Sequence, residues 1–67
     1  MSLHQKFPAQ TVRTLRSIND ALRSVIEANA KAIDAIEKQD EAKAEEYIRE
    51  TTTLLNRASS ILNVLKD

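Results

Sequence analysis

Sixty-seven residues make one small domain at most, below the roughly 70–80 residues at which a single hydrophobic core suffices by itself. With no glycine, no cysteine, no tryptophan and one proline, the chain lacks the residues that strands and tight turns lean on, so the fold class is all-α. Ten basic and ten acidic side chains cancel to a formal net charge of zero, which removes the overall basic excess that strong phosphate binding rests on.

Residues 1–8 show no periodicity and are expected to form a flexible segment, with Phe7 folded back on the end of the helical domain, 9–67. They also lack the apolar core of a signal peptide. Pro8 suits the first turn of a helix, where its missing donor costs nothing, while Thr11 offers an alternative cap three residues on. From there the residues are good helix formers, rich in Ala, Leu, Arg, Glu and Lys, and the first helix is predicted over 9–38. The most polar stretch of the chain, Glu37 to Lys43, reads as a turn centred on 39–40. Asp40 is the predicted N-cap of a second helix over 41–66, with Glu41 in its first turn where the helix dipole favours a carboxylate. Inside that helix Thr51, Thr52 and Thr53 form a weak spot, because β-branched side chains lose freedom there.

Apolar or small residues recur at Leu15, Ile18, Leu22, Val25, Asn29, Ala32 and Ile36, and again at Ala44, Ile48, Thr51, Leu55, Ala58, Leu62 and Leu65. This alternation of three and four is the seam of a coiled coil. Folding the chain back at Asp40 pairs positions whose numbers add to 80, setting large residues against alanines and Asn29 against Thr51. The expected architecture is an antiparallel two-helix hairpin in which Asn29 and Thr51 form a polar layer that sets the register. A single uninterrupted helix competes, since no glycine is present to form a left-handed cap, but the seam changes phase across the turn as a continuous coil should not.

A second apolar line runs beside each seam, Val12, Ile26 and Ile33 on the first helix, then Tyr47, Leu54, Ile61 and Val64 on the second. Two helices alone cover one line each, so these seven residues are the expected partner or oligomer interface. A homodimer forming a four-helix bundle, or an amphipathic helix of another protein, completes such a hairpin. The charges are polarised as well: segment 27–50 carries eight acidic against four basic side chains, net −4, and the remainder six basic against two acidic, net +4. Laid head to tail, two such rods attract. Within each helix Glu27 and Lys31, Asp34 and Lys38, and Glu45 and Arg49 are spaced to pair.

Catalytic chemistry has little to draw on. His4 is the single histidine and lies in the N-terminal segment, so no histidine base or histidine-rich metal site is expected within one chain. Without cysteine or glycine there is no thiolate nucleophile and no glycine-rich phosphate cradle, and the acidic residues follow no calcium-loop spacing. Neither an enzyme nor a cofactor is expected. Cysteine usage gives no argument for secretion, so a reducing compartment is the default, and no apolar run approaches the roughly 18 residues of a membrane span. Arg13, Arg16, Arg23 and Arg57 gather toward the open end as a candidate basic patch, the basis for an alternative RNA-binding or structural role of a bundle dimer.

The stretch Ala32-Ile33, Asp40, Lys43-Ala44, Tyr47-Ile48, Thr51, Leu54-Leu55, Ala58, Ile61-Leu62 and Leu65 resembles the central helical hairpin of flagellar and type III secretion chaperones. The likeness covers about half the chain. It departs from the family in having Gln39 where the turn often carries Gly, and in a length that only the smallest two-helix members share. The resemblance implies a cytoplasmic helper that covers the amphipathic helix of an export substrate or co-chaperone.

Overall fold

A computed structural model describes residues 7–66. It consists of two helices, α1 (Ala9–Glu37) and α2 (Glu41–Lys66), folded back on one another as a hairpin, with no strand among the described residues. The first six residues of the flexible N-terminal segment expected above, His4 among them, lie outside the described residues. Pro8 is the N-cap residue of α1, at φ −65° and ψ 162°, and its carbonyl accepts from the Thr11 amide at 2.9 Å. Its fixed φ is already that of the cap, so the start costs no rearrangement.

The turn shows how a helix stops without glycine. Gln39 takes φ 60°, the left-handed conformation. Around it the Asp40 amide donates to Ala35 O at 2.9 Å and the Gln39 amide donates to Ile36 O at 3.0 Å. These two bonds make a Schellman motif with glutamine in the glycine position. Asp40 then starts α2: its Oδ1 accepts from the Lys43 amide at 3.2 Å and its carbonyl from the Ala44 amide at 2.9 Å, as an N-cap should. One residue therefore serves both the end of α1 and the start of α2, which is why a connection this short suffices. A side chain with a Cβ costs about 1–2 kcal/mol in the left-handed region. Gln39→Gly is accordingly expected to stabilise the hairpin by about 0.5–1 kcal/mol, after the greater freedom of glycine in the unfolded chain is subtracted. Thermal melts followed by circular dichroism check it, and a lower midpoint would show that the Gln39 side chain holds the turn.

The seam runs through small residues. Ala28, Ala32 and Ala35 of α1 and Ala44 and Ala58 of α2 are the buried side chains among those described. Partly buried residues complete the two rows: Thr11, Thr14, Ile18, Ala21 and Val25 on α1, and Tyr47, Thr51, Leu54, Ile61 and Leu65 on α2. Alternate positions of the expected seam are therefore displaced by one residue. Ala21, Ala28 and Ala35 replace Leu22, Asn29 and Ile36; Tyr47, Leu54 and Ile61 replace Ile48, Leu55 and Leu62. Taken in order away from the turn, the two buried and half-buried rows match residues whose numbers add to 79, from Ala35 with Ala44 to Thr14 with Leu65. The physical reason lies in α1, where a row of alanines lets the two backbones approach closely, and interaxial distance follows the size of the side chains between them.

Close approach leaves the large side chains outside. The chain is a rod of 55 × 19 × 12 Å with a radius of gyration of 16.1 Å, against about 11 Å for a compact domain of this length. Its accessible surface is 5617 Å², where about 4200 Å² is usual for a compact monomer of this mass.

Candidate protein interface

Most of the exposed large aliphatic side chains lie on one side of the rod. Leu15, Leu22 and Ile36 on α1, and Ile48, Leu55 and Leu62 on α2, are between 41 and 59 % exposed. Each row steps by seven residues beside its seam, Asn29 holding the remaining place on α1. Both rows flank the same side of the antiparallel pair, since Ile36, Glu41 and Ala44 line one hollow at the turn. On the opposite side Lys31, Lys43 and Tyr47 line another. On α1 the apolar face widens by Val12, Ile26 and Ile33, all exposed. Alternating between these two rows, α1 carries Val12, Leu15, Asn19, Leu22, Ile26, Asn29, Ile33 and Ile36. That is a second unbroken alternation of three and four on the same helix, and nothing in the hairpin covers it.

The residues singled out from the sequence as an interface divide. Val12, Ile26 and Ile33 stand together on the exposed face. Tyr47, Leu54 and Ile61 turn into the seam of the hairpin, where they are half-buried. Val64 is exposed but stands apart, on the side of Lys43 and Arg57. The expected polar layer also separates. Asn29 is exposed on the apolar face, while Thr51 remains in the seam and satisfies its hydroxyl within α2, donating to Tyr47 O at 2.8 Å. The apolar face proper, with Leu22, Leu55 and their neighbours, is hard to find in the sequence because its heptad spacing is equally that of a seam. Its signal was the regular alanine row 21, 28, 35 one residue before them.

Apart from Val64, the other side of the rod is largely polar. The Lys31 ammonium lies 5.8 Å from the Tyr47 ring centroid, a cation–π contact across the seam. Of the three pairs expected along the helices, Asp34 and Lys38 meet at 2.9 Å. That hydrogen bond and the charge of Asp34 raise the pKa of Lys38 above its ordinary value of 10.5. The pairing thus supports the folded state at neutral pH and is lost as pH rises through the Lys38 pKa, but the exposed site gives it little weight. Arg23 pairs with Asp20 at 3.8 Å. By helical position Arg16 and Arg23 border the apolar face, Arg13 lies further round α1, and Arg57 is on the opposite side with Lys43, so the four do not form one patch. Among the described residues no cluster of three or more His, Cys, Asp or Glu is placed to hold a metal ion. No described helix is long and apolar enough to cross a membrane.

No family model matches the chain, and no curated protein or solved structure is significantly similar to it.

Proposed function

We propose that the chain is a protein–protein interaction module without chemistry of its own, working through the apolar face of the hairpin. The observation that carries this reading is the pair of large aliphatic rows left exposed on one side of a seam built from alanines. Contiguous apolar surface of this extent marks an interaction site, whereas isolated exposed leucines would not. An amphipathic helix is the ligand such a face takes. Either a client supplies it, as for a cytoplasmic chaperone or adaptor, or a second copy does so in a helical bundle. The test is photo-cross-linking in the producing cell, with a photoreactive residue at Leu55 on the apolar face or at Ser24 on the polar side. Protein adducts are expected from position 55 and not from position 24. Adducts of equal yield from both, or none from 55, would sink the proposal.

A further inference from the structure

We propose that the occupant of the apolar face is a second copy of this chain, laid face to face and head to tail to form a four-helix bundle. This rests on the interface reading above and adds the identity and direction of the partner. The argument is that the uncovered pattern on α1 matches itself when reversed. About a centre at residue 24, Val12 falls opposite Ile36, Leu15 opposite Ile33, Leu22 opposite Ile26, and Asn19 opposite Asn29. Every apolar side chain meets an apolar one, and the two amides of the face meet each other, as partly buried amides require. Each pair joins a residue of the row beside the seam to one of the outer row, which is how core layers of an antiparallel coiled coil are made.

The same operation applies to α2, which carries only the apolar row beside the seam, its outer row being Glu45, Thr52 and Ser59. Reversal about residue 55 sets Leu55 on its own copy and Ile48 on Leu62. Residues 24 and 55 are themselves matched in the hairpin, by the rule that matched numbers add to 79. One two-fold axis therefore serves both helices, and an isologous dimer needs nothing else.

Charge and area agree. Among the described residues the half of the rod nearer the turn has net charge −4 and the open half, with Arg13, Arg16, Arg23, Arg57 and Lys66 against Asp20, +4, so head-to-tail stacking lays acid on base. Beside the apolar face the same polarity holds, with Arg16 toward the open end, Arg23 near the middle beside Asp20, and Glu37, Glu41 and Glu45 toward the turn. Parallel stacking would bring the acidic turns together and lay Ile33 near Glu45. Helices about 40 Å long on a rod 19 Å wide offer roughly 750 Å² of projected face, close to the ~800 Å² per partner of a standard interface.

Sedimentation equilibrium on the purified unaltered chain, with circular dichroism at the same concentrations, is the first measurement. A helical dimer is expected. Direction is read by thiol cross-linking, unambiguous in a chain without cysteine. Leu55→Cys is expected to bridge to itself under mild oxidation, and Ile48→Cys to bridge to Leu62→Cys when the two are mixed but not to itself. A helical monomer at tens of micromolar overturns the second copy as occupant; adducts from position 55 to another protein would then leave the interaction-module reading standing. A dimer in which Ile48→Cys fails to bridge to Leu62→Cys overturns the head-to-tail direction.

Discussion

Replacing Leu22 and Leu55 together by glutamate is expected to weaken self-association by about a hundredfold or more while leaving the hairpin seam intact. Each leucine is more than two-fifths exposed in the single hairpin, so a carboxylate there is solvated and costs the isolated chain little. In the proposed dimer both are covered, and burying a leucine side chain contributes about 1.5–3 kcal/mol. The Leu55 site also meets its own copy near the two-fold axis, where two carboxylates would face one another; like charges juxtaposed in an interface cost several kcal/mol. A hundredfold is about 2.7 kcal/mol, well inside the sum of these effects. The readout is the concentration dependence of the thermal midpoint. For the unaltered chain the midpoint should climb with concentration, because association stabilises only the folded form. For the double variant it should be flat. A double variant whose midpoint still climbs as steeply would place the contact elsewhere on the rod.

Much of the fold was legible in the sequence, and the reason is local chemistry. The absence of glycine and cysteine, the helix-forming composition and the polar stretch around Asp40 each act within a few residues of where they are read. Asp40 is the clearest instance: an acidic residue followed by Glu41 marks a helix start, and its carboxylate does bond the Lys43 amide. Gln39 was the local exception, taking a conformation usually left to glycine because the Schellman bonds on either side of it outweigh the strain.

The register of the seam was less legible, because it depends on a comparison between helices. On α2 the rows Tyr47, Leu54, Ile61 and Ile48, Leu55, Leu62 are about equally apolar, so periodicity alone cannot say which faces α1. The choice is made on α1, where one candidate row is alanine and the other is Leu22, Asn29 and Ile36. Volume, which a hydrophobic pattern does not record, decides it. An asparagine in an otherwise apolar row was the available warning. Read as a buried register-setting residue, Asn29 turned the hairpin by one position; read as one of two amides on an outer face, with Asn19, it marks where a partner is matched.

That role for volume leads to the second large effect. Ala28→Leu is expected to destabilise the hairpin by about 1–3 kcal/mol, the usual cost of forcing extra methylenes into a well-packed site. Ala28 is 3 % exposed, matched with Thr51 and between the buried Ala32 and the half-buried Val25. A leucine there has to push α2 away, and the separation propagates along both helices, loosening Ala32 and Ala35 on one side and Ala58 on the other. For a domain of this size each kcal/mol lowers the thermal midpoint by roughly 4–8 °C. Ala30→Leu, on the exposed outer side of the same helix, is the control and should change the midpoint little, since alanine and leucine are both good helix formers. The comparison also discriminates between the two registers. Were the seam to run through Asn29, position 28 would lie at its edge and accept a leucine, and Asn29→Leu would instead be the change felt throughout the hairpin. With the alanine row inside, the order reverses. Asn29→Leu leaves the seam untouched and acts on association alone, by setting a leucine against the partner's Asn19 and leaving that amide unmatched.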